Sequence, residues 1–179
     1  METKPHKTHV YEVDFRISSL NYIISGFDET IQVLHDKVKE GGWYDGLWFL
    51  EETEPIYGLA FIAYQNYINA SIKDLAETSG KKEKYYRIQE PIEGYKKTVI
   101  ELIICLANYT KHIDDDGDFH KGTKETLEHF SLKSNKEFDV EHSAIFRGLD
   151  ILNEKWDLHQ ITKIVTDWRE MLMQIILKK

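Results

Sequence analysis

Apolar residues recur every three or four positions along four long segments of the chain, and this spacing does most to limit the possible folds. A spacing of three or four places the apolar side chains on one face of an α-helix, whereas a half-buried strand would alternate every second residue. No convincing pair of alternating segments occurs. The sequence therefore predicts an all-α fold, a bundle of four to five helices. The first series comprises Val13, Ile17, Leu20, Ile24, Phe27, Ile31, Leu34 and Val38.

Proline and capping residues indicate where the helices are expected to begin. Pro55 and Pro91 each suit the first position of a helix, where the missing N–H has no helical partner to lose. Asp157, with Gln160 three residues later, predicts a cap at the start of the last helix. Two shorter helices are expected within 123–132 and 145–152. The long helices are predicted near residues 14–40, 55–78, 91–111 and 157–177.

The second long helix carries an apolar surface wider than one stripe, from Ile56 to Leu75, which predicts a central helix with several neighbours. The remaining long helices each contribute one stripe to the same core. The expected core residues are Leu20, Ile24, Phe27, Ile31, Leu34, Ala60, Tyr64, Ile68, Val99, Leu102, Leu106, Ile161, Val165, Trp168 and Leu172.

The length of 179 residues fits a single helical domain over 1–179, with residues 1–12 expected as a flexible N-terminal tail. The net charge of −8 disfavours attraction of the whole molecule to nucleic acid or to an anionic membrane. Cys105 is the only cysteine, so the chain cannot form an internal disulfide. No signal peptide or membrane-spanning run is recognisable, and we expect a cytoplasmic protein without membrane contact.

The segment 108–120 holds the densest cluster of chemically capable side chains. Read as a calcium loop, it places His112 and Thr123 where the first and twelfth positions require carboxylates, so an EF-hand is disfavoured. A transition-metal site remains open as a hypothesis, because imidazole and carboxylate groups suit divalent ions. Its ligands would be His112, Asp114, Asp118 and His120.

The segment Leu106–His112, which closes a long amphipathic helix, resembles the signature region of the HEPN superfamily (higher eukaryotes and prokaryotes nucleotide-binding). Its members are helical bundles, usually homodimers, and many are metal-independent endoribonucleases of toxin and defence systems. Their motif has an arginine, often followed by asparagine, four to six residues before a histidine. Asn108 and His112 match this motif, and Ala107 stands where the arginine would be.

The resemblance implies that Asn108 and His112 are catalytic, that no cofactor is needed, and that the chain forms a homodimer related to RNA or to regulation. In such a site histidine moves a proton and arginine holds the charge that develops on the phosphate. Losing one such stabiliser costs about 10²- to 10³-fold in rate, so we expect weak or absent endoribonuclease activity. Lys111, Lys96 and Lys97 are the expected RNA-binding residues.

Three alternatives stay open. Lys111 and His112 also suit the negative end of a helix dipole without any catalytic role. The chain could be a non-enzymatic interaction module whose aromatic connector, residues 43–50, binds a protein partner. A metal-dependent hydrolase built on segment 112–120 is the third. Surplus apolar residues on the second helix, Leu59, Ile62 and Tyr67, add to the expectation of a homodimer.

Overall fold

The computed structural model describes residues 13–76, 80–132 and 140–178, and within these ranges the chain is helical and has no strand. The predicted all-α class is therefore confirmed. The expected N-terminal tail, residues 1–12, lies outside the described residues. The helices are α1 (Ile17–Glu40), α2 (Gly46–Ala76), α3 (Glu83–Tyr86), α4 (Val99–His112), α5 (Lys121–His129), α6 (Ala144–Leu152) and α7 (Leu158–Leu177), with a 3₁₀ turn at Val140–His142.

Helix α2 is the central element, as its wide apolar surface predicts. It packs against α1, α4, α6 and α7. The fully buried Tyr64 ties it to the last helix, because its hydroxyl donates to the carbonyl of Leu158 at 2.6 Å. The core therefore surrounds α2 rather than filling a channel between four equal helices.

The predicted start of α2 at Pro55 is wrong, because the helix already begins at Gly46 and Pro55 lies inside it. The carboxylate of Asp45 accepts hydrogen bonds from the N–H groups of Leu47 and Trp48, at 3.0 and 3.1 Å. These are donors that a helix start leaves without helical partners. Residues 46–50, five of the eight residues of the expected aromatic connector, consequently belong to the start of α2.

The predicted start of the next long helix at Pro91 is also wrong, since α4 begins at Val99. The Thr98 hydroxyl accepts from the N–H of Glu101 at 3.2 Å, and the Glu101 carboxylate accepts from the N–H of Thr98 at 3.0 Å. This reciprocal capping box fixes the helix start. Residues 91–98 form turns instead.

Other expectations for the helices are confirmed. The two short helices form as α5 and α6. Asp157 caps α7 by accepting from the N–H of Gln160 at 3.1 Å. Of the expected core, Phe27, Ile31 and Val99 are half-buried, and the other twelve residues are buried. No described helix has the combination of length and apolar character that crossing a membrane requires.

Candidate functional site

A groove of about 430 Å³ opens between α2, α4 and α5, beside the short helix α3, and most of its lining is polar. We call it the polar groove. Its uncharged polar members include Gln65, Asn69 and Asn108, and His120 lies at one side. Its charged side chains are evenly divided: three cations and three carboxylates line it, namely Lys82, Arg87, Lys97, Glu83, Glu101 and Glu125.

The buried Glu101 neutralises two of these cations. Its carboxylate accepts hydrogen bonds from Arg87 Nε at 2.8 Å and from Lys97 Nζ at 3.2 Å. Burial raises the pKa of Glu101, but the bonds from Arg87, from the N–H of Thr98 and from Lys97 outweigh that effect and hold the pKa below its usual value. The groove thus offers a balanced surface rather than the open basic channel expected for RNA.

Asn108 lines the polar groove, but its side chain is engaged by a neighbouring helix. The buried Gln65 of α2 donates from Nε2 to Asn108 Oδ1 at 2.8 Å, and its Oε1 accepts from Lys111 Nζ. Burial lowers the pKa of Lys111. The Gln65 amide therefore joins Asn108 and Lys111 in a link between α2 and α4.

His112 lies outside the polar groove, at the exposed C-terminal end of α4. Its Nδ1 is 2.7 Å from the carboxylate of Asp115, and its side chain is half exposed. Asn108 and His112 are one turn apart, yet Asn108 contacts α2 while His112 contacts the following turn. Lys97 lines the groove, whereas Lys96 and Lys111 do not belong to its lining.

Position 107 faces the core. Ala107 has no exposed surface, so an arginine there would enter the packed interior instead of a cleft. This arrangement differs from a motif in which arginine and histidine face one phosphate. Gln65, which sequence reasoning did not single out, is the residue that organises this region, and its signal was a polar side chain interrupting the apolar face of α2.

The segment 112–120 does not assemble a metal site in the part of the chain that the structure describes, where no three His, Cys, Asp or Glu side chains are grouped to hold an ion. Three of the four expected ligands have other local contacts, among them Asp118, whose carboxylate lies 4.0 Å from Lys124 Nζ. His112 contacts Asp115, and His120 caps α5 by accepting from the N–H of Gly122 at 3.3 Å.

The connection between α1 and α2 carries a cluster of exposed apolar side chains, which we call the aromatic tip: Trp43, Leu47 and Trp48. Trp43 is 77% exposed and Trp48 is 46% exposed. Their rings meet edge to face, with centroids 5.7 Å apart. Tyr44 is buried beneath them, and its hydroxyl donates to Glu52 at 2.7 Å.

Carboxylates outnumber cations around the aromatic tip. Between residues 36 and 52 there are five acidic residues and two lysines. Lys39 is paired with Asp36 at 2.9 Å, and Lys37 lies 4.0 Å from Glu52 with its ammonium 5.5 Å from the centre of the Tyr44 ring. The tip is therefore an aromatic surface with an acidic border.

Comparison of the chain with protein-family models, with curated proteins and with solved structures gives no significant match. The resemblance to the HEPN superfamily consequently still depends on Asn108 and His112, and it remains a hypothesis.

Proposed function

We propose that this protein is a non-enzymatic helical interaction module that binds a cationic, partly apolar segment of another protein through the aromatic tip. The main observation behind this proposal is that Trp43, in the connection between α1 and α2, is 77% exposed. A large aromatic side chain exposed to water gains free energy when a partner covers it. Tryptophan is also among the residues that contribute most to protein interfaces.

The charge around the tip favours a cationic partner. An ammonium or guanidinium group is attracted to the face of a tryptophan ring, and nearby carboxylates strengthen that attraction. Lys37 already makes a contact of this kind with Tyr44. A nucleic acid strand would meet the acidic border instead and be repelled.

The tip is also held in place before any partner arrives. Asp45 caps α2 directly beneath Leu47 and Trp48, and the Tyr44–Glu52 hydrogen bond fixes the preceding turn to the helix. Because this surface is already ordered, little conformational entropy is lost when a partner binds to it.

The test uses synthetic peptides that alternate leucine with arginine, and matched peptides with glutamate in place of arginine. We expect the arginine peptide to bind and to quench tryptophan fluorescence, and Trp43→Ala to weaken binding about tenfold or more. Phe15→Ala is the matched control, because Phe15 is an equally exposed aromatic residue elsewhere on the chain. Equal binding of both peptides, or unchanged binding by Trp43→Ala, would contradict the proposal.

RNA binding is the second candidate, favoured by one observation: Asn108 shares the polar groove with Lys82, Arg87 and Lys97. Of these cations, Lys82 is not part of the Glu101 network. Lys82→Glu should then lower the affinity for a single-stranded RNA oligonucleotide at low salt, whereas Lys121→Glu, outside the groove, should not. Any metal-independent cleavage should be lost in His112→Ala. If the chain binds no RNA at low salt, this candidate fails and the interaction module is unaffected.

A further inference from the structure

The surface shared by α1 and α2 contains a long region without charge. Residues 17–27 of α1 and residues 55–72 of α2 include no Asp, Glu, Lys, Arg or His, although 30% of the chain is charged. An apolar groove of about 440 Å³ runs between these segments, lined by Ile23, Phe27, Leu59 and Ile62. We call this surface the uncharged face.

Apolar side chains on the uncharged face are open to water. Ile23 is 47% exposed, Leu59 is 49% exposed, and Tyr22 beside them is 81% exposed. The core-facing side of α1 is occupied by the buried Leu20 and Ile24, whereas about half of the Ile23 side chain stays open to water. A contiguous apolar surface of this kind is typical of an interface.

We propose that a second copy of the same chain covers the uncharged face and forms a two-fold symmetric dimer. Exposed apolar side chains stand beside the groove on both helices, Ile23 on α1 and Leu59 on α2. A two-fold axis that passes near Ile23 would bring the Ile23 side chains of the two copies together and set the two apolar grooves against each other, so that each copy uses the same surface.

The absence of charge supports a second copy over an unrelated partner. When identical faces meet across a two-fold axis, a charged residue near the axis lies close to its own equivalent and is repelled by it. The charge-free stretches on both helices remove this repulsion. The charged member of the groove lining, Arg16, lies at one end and is paired with Asp74.

The size of the face fits a weak dimer. The uncharged stretch of α2 spans about 27 Å and that of α1 about 16 Å, and each helix is about 10 Å wide. Each copy can therefore bury about 430 Å², or about 900 Å² in total, which is the size of a weak, transient interface. We accordingly expect a dimer that dissociates on dilution.

The dimer leaves the aromatic tip free. Ile23 and the end of α1 are separated by about 25 Å along the helix, and the tip follows that end. Each dimer would present two tips, but neither proposal depends on the other, because the two surfaces use different residues.

The test is the solution mass from low to high micromolar concentration, by light scattering or sedimentation. We expect the mass to rise from 21.1 kDa towards twice that value. Ile23→Glu should stay monomeric, and Trp43→Glu, which alters the tip, should dimerise like the natural chain. Far-UV circular dichroism confirms that each variant is folded.

A mixing experiment separates lost association from lost folding. Ile23→Glu and Ile23→Lys should each be monomeric alone and should form a mixed dimer when combined, because opposite charges then meet across the axis. A natural chain that keeps the 21.1 kDa mass at high concentration would overturn the proposal. So would a dimer of undiminished affinity in Ile23→Glu, or a mixture that stays monomeric.

Discussion

At the residue scale, Glu101 connects the start of α4 to the cations of the polar groove. Its carboxylate accepts hydrogen bonds from Arg87, from Lys97 and from the N–H of Thr98. Glu101→Gln keeps the shape but removes the charge, so we expect a loss of about 1 to 3 kcal/mol in the free energy of unfolding at neutral pH. Denaturation in urea measures it.

The lowered pKa of Glu101 also determines how this loss of stability depends on pH. Because the folded-state pKa of Glu101 lies below its ordinary value, its contribution is present above that ordinary value and disappears as the pH falls through the folded-state pKa. The natural chain and Glu101→Gln should therefore converge in stability as the pH falls through the folded-state pKa, which lies below the ordinary value of 4.5. Glu128→Gln, an exposed control on α5, should have the same free energy of unfolding as the natural chain at neutral pH and at acid pH. A constant difference would mean that shape, not charge, is responsible.

Residue-scale features of the site were only partly predictable from sequence. The spacing of Asn108 and His112 correctly places them one turn apart on a helix. It gives no information on what each side chain contacts, since Gln65 lies 43 residues from Asn108 in the chain. The burial of Ala107 likewise depends on packing by distant elements.

At the element scale, Pro55 occupies an exposed position inside α2, where it lacks the N–H that the helix would use. A proline within a helix costs about 3 kcal/mol relative to alanine, although local adjustment recovers part of this. We expect Pro55→Ala to raise the free energy of unfolding by about 1 to 3 kcal/mol. Pro91→Ala is the control, because Pro91 lies outside any helix and should gain nothing. A destabilised Pro55→Ala would contradict this.

The same element shows why helix ends were harder to predict than helices. The apolar spacing correctly predicts that residues 56–75 are helical. Proline suits the first turn, so Pro55 and Pro91 both indicate a start. The actual starts depend on side-chain caps, Asp45 and Thr98, whose hydrogen bonds form only once the neighbouring turn is in place. The sequence contains many other Asp and Thr residues that could cap a helix in the same way, so it does not single out Asp45 and Thr98.

At the scale of the whole molecule, the central helices approach one another closely at two glycines. A side-chain carbon built on Gly58 of α2 would lie 2.7 Å from Thr110 of α4, and one built on Gly148 of α6 would lie 2.5 Å from Leu106 of α4. Helix α4 is thus held between α2 and α6 at distances that permit no side chain at either point. The apolar pattern predicts that the long helices share one core, but it does not predict how closely α4 approaches α2 and α6 at these glycines.

Alanine at either glycine should therefore destabilise the fold, although alanine favours helices. We expect Gly58→Ala and Gly148→Ala to lower the free energy of unfolding by about 1 to 3 kcal/mol, because the added methyl group displaces buried neighbours. Gly122→Ala on α5 is the control, since its nearest neighbour is 3.8 Å away, and it should be neutral or slightly stabilising. Combining Gly58→Ala with Thr110→Ala removes the atoms in closest contact and should recover part of the loss, as a double-mutant cycle in urea would show. If Gly58→Ala and Gly148→Ala are as stable as Gly122→Ala, then α4 is not held as closely between α2 and α6 as these distances indicate.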